Sequence, residues 1–149
     1  HRARVVVQEL GPLVEKCRVV LVGLDDEVAA GAGSRGGGEI VGHVAVSPVV
    51  LSDGSAGWFG LGPISVLPEH QGRGIGSRLV REVLQRLRDS GARGCVLVGD
   101  PGFYTRFRFR SHTALAYPDV PAEVFLVLAF GDAVPQATVT FHPAFGATE

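Results

Sequence analysis

Three glycines at alternate positions, Gly72, Gly74 and Gly76, stand in "HQGRGIGSRLV" directly before a run whose apolar residues recur at helical spacing. Glycine weakens a helix interior by roughly 1 kcal/mol relative to alanine, so the crowding calls for a reason. A helix start presents backbone N–H groups with no internal partner, together with the positive end of the dipole. With side chains stripped away, those amides can touch an anion, and pyrophosphate is the obvious guest. The competing reading is a tight strand-to-helix turn in which one glycine merely permits close packing. Two familiar phosphate loops fit badly. G-x-x-x-x-G-K-[ST] needs a lysine, and Lys16, far upstream, is the only one in the chain. G-x-G-x-x-G finds Ser77 where its third glycine belongs.

Other reactive residue types carry weaker signals. Tyr104, taken alone, reads as a packed aromatic. His43 shares a strand face with Val41 and Ala45 and reads as a satisfied core histidine, while Glu69 and His70 beside the glycine loop read as solvated. None is nominated as a general base, since ordered water can serve instead. Two cysteines, Cys17 and Cys95, make neither a disulfide scaffold nor a four-ligand zinc site, so no metal is expected. Cys95 lies in the apolar "GCVLVG" and reads as a buried structural thiol. The run "RFRFR", residues 106–110, alternates base and aromatic as single-stranded nucleic-acid surfaces do. A net charge of −1 argues against that partner.

The elements that position these residues follow from periodicity. "RVVLVGLDD" (18–26) and "EIVGHVAVSPVVL" (39–51) read as strands of a hairpin joined by the flexible small-residue loop 29–38, with Pro48 limiting later pairing. "DGSAG" is a turn, and "WFGLGPISVL" (58–67) a strand interrupted at Gly62-Pro63. From Gly74 to Gly91, Ile75, Leu79, Val80, Val83, Leu84 and Leu87 form one apolar stripe, and Gly91 is placed as a C-terminal cap. "GCVLVG" (94–99) reads as a strand buried on both faces. "DPGFYTRF" (100–107) has an N-cap Asp followed by Pro, a helix start. "EVFLVLAF" and "ATVTFHPAF" finish as two strands around a turn containing Pro135. The sum is one α/β domain over residues 1–149 with mixed pairing.

Composition bounds the function classes. With 46% hydrophobic and 19% charged residues the chain is globular rather than disordered. No run approaches the ~18 apolar residues that cross a bilayer, and "HRARVVVQEL" lacks the apolar core of a signal peptide. A cytoplasmic domain without membrane or nucleic-acid partners is therefore expected.

Gln71-Gly72-Arg73-Gly74-Ile75-Gly76 resembles the Q/R-x-x-G-x-G/A motif of the GNAT superfamily of acyl-CoA N-acyltransferases. "ISVLPEHQGRGIGSRLV" resembles that family's central strand, loop and long helix read continuously, and "GDPGFYTRFRF" resembles the "GDPxYYxRFGF" of one bacterial branch of acetyltransferases. "GEIVGHVAVSPV" and "ATVTFHPAF" match that branch too, so the likeness spans residues 38 to 145.

The resemblance implies a mixed, mostly antiparallel central sheet flanked by helices, with a splayed V between its two central strands. The backbone of Ile64, Ser65 and Val66 would bond the pantetheine arm of acetyl-CoA within the V. The pyrophosphate would rest on the segment Gln71, Gly72, Arg73, Gly74, Ile75, Gly76 and Ser77, Arg73 adding charge at the rim. The Val66 amide would stabilise the oxyanion, and Tyr104 would act as general acid toward the departing thiolate. With a phenol near pKa ~10 and a thiol near ~8.5, that proton transfer needs help from the surroundings. The implied activity is direct transfer of an acetyl group to a primary amine of a small molecule or protein. The alternative is a non-catalytic acetyl-CoA-binding sensor or subunit.

Two departures stand out. Arg108 replaces the glycine that ends the short helix in a left-handed turn, so a different local turn is expected. Relatives place a strand and two helices ahead of the second strand, whereas only residues 1–17 precede it here, so the N-terminal helical region is expected to be shortened. "RVVVQEL" is either the first strand or a replacement for it, and "PLVEKC" a helical remnant. The last strands are read either as candidates for homodimer pairing or as a plain sheet edge.

Overall fold

The computed structural model describes residues 3–10, 19–26, 40–72 and 74–141. Four strands open the chain: β1 (Ala3–Leu10), β2 (Val19–Asp26), β3 (Ile40–Leu51) and β4 (Trp58–Val66). Helix α1 (Ile75–Asp89), β5 (Gly94–Val98) and the short helix α2 (Pro101–Tyr104) follow. The last elements are β6 (Leu115–Ala116), β7 (Phe125–Ala129) and β8 (Ala137–Phe141). The main sheet runs β1-β2-β3-β4-β5-β7, antiparallel except for β4 against β5. This is the mixed, mostly antiparallel α/β sheet expected, and "RVVVQEL" supplies its first strand. "PLVEKC" and the loop 29–38 lie outside the described residues.

Pro48 limits pairing by position. β2 partners β3 as far as Val46 and β8 takes over at Val49, so a residue without an N–H falls in the gap between them. β8 also pairs with β6, and β7 is bridged on its far side by Arg110, so neither final strand is bare along these stretches.

The sheet separates two apolar layers. α1 lays Leu79, Val80, Val83 and Leu84 over Val44, Val46, Cys95 and Leu97, each large aliphatic side chain contributing about 1.5–3 kcal/mol on burial. Beneath lie Val49, Leu51, Trp58, Val96, Phe125 and Val139. β5 therefore feeds alternate residues to both layers, as its unbroken apolar sequence implies. α1 ends where Gly91 predicts. At φ 86° it donates to the Arg88 carbonyl (3.1 Å) while Ala92 donates to Leu87 (3.0 Å), the paired closure of a left-handed glycine cap.

The turn after α2 corrects an expectation. Arg108 adopts the left-handed conformation itself, at φ 75° and ψ 14°, and its N–H bonds the Thr105 carbonyl at 2.9 Å. The turn is unchanged and Arg108 carries the strain, about 1 kcal/mol for a residue with a Cβ. Phe107 and Phe109 on either side are buried, which fixes the backbone between them. The "RFRFR" alternation is thus an in-and-out pattern, its arginines exposed and its phenylalanines in the core.

Candidate functional site

β4 and β5 run parallel through only three pairs, Trp58 with Gly94, Phe59 with Cys95 and Gly60 with Val96. Each then keeps its outer partner, β4 with β3 through Val66 and β5 with β7 through Val98. The two central strands thus part into a V. A bulge accompanies the opening: between Val44↔Ile64 and Val46↔Leu61, Gly62 and Pro63 stand against Ala45 alone. Gly62 sits at φ 136°, so the sequence break foreseen there is the bulge.

From the end of β4 the chain makes a single 3-10 turn, Pro68–His70, and enters the glycine loop. The Gln71 side-chain amide donates to the Val66 carbonyl at 3.0 Å, bracing the loop against the strand. Gly72 and Gly74 stand at φ 81° and 78°, where a Cβ would meet nothing within 4 Å but the backbone itself favours glycine. Gly76 differs. Its φ is ordinary, and a Cβ there would meet only Phe103 and Val66, at 3.8 and 4.0 Å. Nothing among the described residues demands glycine at position 76, so its missing side chain leaves room beside the helix start.

The start of α1 is uncapped. Gly74 is the N-cap and offers no side-chain bond, and the first turn holds no acidic residue. The first helical bond runs from the Arg78 N–H to the Gly74 carbonyl at 3.0 Å, so the amides of Ile75, Gly76 and Ser77 precede the internal ladder. A cleft of about 390 Å³ opens over them. It gathers Val66, Gln71, Gly72, Gly74, Ile75, Gly76 and Ser77 from the sequence-nominated set and adds Phe103 and Arg106. Helix-start amides without a side-chain cap are the groups that attract an anion.

The remaining nominees lie elsewhere. Ile64 is half-buried and Ser65 exposed, farther back along β4. Arg73 lies outside the described residues. Tyr104 is 8% exposed, with its ring edge-on to Phe103 (4.8 Å) and Phe109 (5.9 Å). Burial, and secondarily the neighbouring Cys95, raises its phenol above the usual 10.0. Glu69 is exposed and His43 half-buried on β3, paired in register with Ser65. Cys95 is fully buried, as read from its apolar run. Among the described residues no cluster of metal-ligating side chains forms, and no helix is long and apolar enough to cross a membrane. A larger cleft of about 730 Å³ beside β7, lined in part by Arg108, Arg110, His112 and Asp132, contains none of the nominated residues.

Phe103 and Arg106 were missed in the sequence. Their spacing of three along a short helical stretch was the available signal, since it puts both on one face, and Arg106 stacks 4.8 Å above the Phe103 ring.

With the geometry in place, comparison with known proteins agrees with it. Residues 15–109 match the model of the acetyltransferase (GNAT) family. The chain is 36% identical over 89 residues to the uncharacterized N-acetyltransferase YhbS of Escherichia coli strain K12, covering 60% of this chain and 47% of that protein. It thus spans about half the length of the curated relatives it matches. A GNAT family acetyltransferase from Brucella melitensis, solved in complex with acetyl-CoA, is 42% identical at a TM-score of 0.67, covering 85% of this chain and 68% of that one. The Escherichia coli YhbS structure, solved with CoA, is 28% identical at a TM-score of 0.71, with coverage of 85% and 68%.

Proposed function

The chain belongs to the acetyltransferase (GNAT) family, and on that premise we propose that it transfers the acetyl group of acetyl-CoA directly to a primary amine. The observation that carries this reading is the uncapped start of α1 at the mouth of the V, with Gly76 clearing a path no internal contact requires. The Brucella and Escherichia coli relatives solved with acetyl-CoA and CoA support it.

In this reading acetyl-CoA supplies an activated thioester, and the chain holds it in place. The amides of Ile75, Gly76 and Ser77 bind the diphosphate, with Gly72 and Gly74 shaping the loop and Gln71 bracing it. Arg73 belongs to the same segment and adds charge at its rim. The backbone of Ile64, Ser65 and Val66 lines the V and pairs with the pantetheine arm as a further strand would. The Val66 N–H donates to the thioester oxygen as negative charge grows there, a role typically worth about 3 kcal/mol. As the amine nitrogen bonds to the acetyl carbon, the carbon–sulfur bond breaks. The nitrogen's proton passes to water, the sulfur takes its proton from the Tyr104 hydroxyl, and water returns one to the phenolate. Burial raises that phenol and so disfavours the phenolate left behind, which means that transfer to a thiolate near ~8.5 requires water or a neighbouring group to offset the charge. The acceptor must arrive neutral, although alkylamines hold their proton to about pH 10. The acceptor is a small molecule or a protein amine.

Calorimetry with acetyl-CoA tests the reading directly, and absence of binding removes it. An amine panel followed by free-thiol release tests turnover, where Tyr104→Phe should lower kcat about 100-fold with little change in acetyl-CoA affinity. The burial of Tyr104 outside the cleft lining favours a second reading, a sensor that holds acetyl-CoA without turnover. Binding without thiol release across the panel selects it.

A further inference from the structure

Arg106 lines the same cleft as the first residues of α1, and it is the cationic side chain in that lining among the described residues. It is exposed, and no carboxylate among the described residues pairs with it; its guanidinium rests on the Phe103 ring, 4.8 Å from the centroid. Arg86 on the outer face of α1, by contrast, is engaged with Glu82 at 3.5 Å. We propose that Arg106 is the side-chain clamp for the diphosphate of coenzyme A, leaving its Phe103 perch to grip phosphate oxygens beside the bare amides.

The physical case has three parts. The amides of Ile75, Gly76 and Ser77 supply partial positive charge, and neither a capping side chain nor an acidic residue offsets it. A diphosphate carries more negative charge than one helix end balances, so a cationic side chain in the same cleft completes the site. Arginine's planar fork bridges two phosphate oxygens at once, and a cation–π contact at an exposed position is weak enough for phosphate to displace. Phe103 would then form a wall of the cleft, since its ring already lies 3.8 Å from where a Gly76 side chain would begin.

This inference rests on the acetyl-CoA reading, and a graded set of donors separates the two. Wild type, Arg106→Gln and Arg106→Lys are titrated with acetyl-CoA and acetyl-3′-dephospho-CoA by calorimetry, and with S-acetylpantetheine by NMR. Arg106→Gln should bind both diphosphate-bearing donors about tenfold more weakly, while S-acetylpantetheine, which has no phosphate, should bind as in wild type. Arg106→Lys should recover most of the loss through its charge. An equal loss on all three donors would make Arg106 structural and overturn the clamp. A loss with acetyl-CoA but not with the dephospho form would move the contact to the 3′-phosphate and overturn the diphosphate assignment. Unchanged affinity in Arg106→Gln removes the clamp and leaves acetyl-CoA binding standing. No binding of acetyl-CoA by wild type removes the underlying reading itself.

Discussion

The β4–α1 and β5–α2 junctions each lead from a central strand into a helix, and they treat the first amides of that helix in opposite ways. At β5–α2, the Asp100 carboxylate accepts the Gly102 N–H at 2.9 Å, Pro101 occupies the first turn, and the ring of Tyr104 packs into the core. Charge, hydrogen bond and apolar surface are all satisfied within the chain. At β4–α1, the N-cap is a left-handed glycine without a side-chain bond, the first turn has no acid, and a cleft of about 390 Å³ stands over it. The same backbone problem is solved by a side chain at one junction and not at the other. A missing cap is informative here because the neighbouring junction shows how this fold satisfies the first amides of a helix from within the chain.

Gly76→Glu turns the open junction toward the capped kind and should have the largest effect. The new side chain enters the cleft against ordinary contacts at 3.8 and 4.0 Å, and its carboxylate favours the helix start it faces. Thermal stability should therefore hold, while acetyl-CoA affinity falls at least about 100-fold as charge and bulk occupy the diphosphate position. Titration calorimetry beside a melting curve reads both. Retained affinity would show that the open amides serve no ligand.

Asp100→Ala makes the reverse change and should act on stability alone. Losing an N-cap carboxylate costs about 1 kcal/mol, which at this chain length lowers Tm by roughly 2–5 °C. Acetyl-CoA affinity should stay within about twofold of wild type, because the bond lost is to Gly102 and not to the cleft. A large loss of affinity with little change in Tm would mean that the first amides of α2 also serve the ligand, and the contrast between the two helix starts would fail.

The two junctions also differed in how legible they were. Asp100 followed by Pro101 announces a capped helix outright, because cap chemistry is local and written in adjacent residues. The glycines announced an anion site at the other junction but left two readings open. In the structure Gly72 and Gly74 answer to backbone conformation, as the turn reading holds, while a side chain at Gly76 would meet only ordinary contacts among the described residues. The V was implied by family likeness, with Gly62-Pro63 marking the bulge, yet its extent depends on where β4 and β5 stop pairing, a tertiary fact that no single strand's sequence contains. Arg106 was overlooked because its partners in the cleft lie some thirty residues upstream, on the far side of β5. Arg108 misled in the other direction. Propensity disfavours arginine at φ 75°, but buried Phe107 and Phe109 hold the turn.

The smallest effect tests the dry side of the contrast. Burial raises the Tyr104 phenol above 10.0, so the folded chain keeps this proton at a pH where the unfolded chain releases it. Between 10.0 and the raised value the native state binds more protons, and stability falls as pH rises. Tyr104→Phe should flatten that decline in denaturant midpoints measured across the alkaline window. Tyr117 also has a raised phenol, owing first to burial and then to Asp119, so Tyr117→Phe serves as the comparison. Cys95, also raised by complete burial, adds to the same decline and is coupled to Tyr104, so the comparison is repeated in a Cys95→Ala background. If Tyr104→Phe leaves the slope of wild type untouched, the phenol is reached by water in solution, and the capped junction is less closed than its geometry implies.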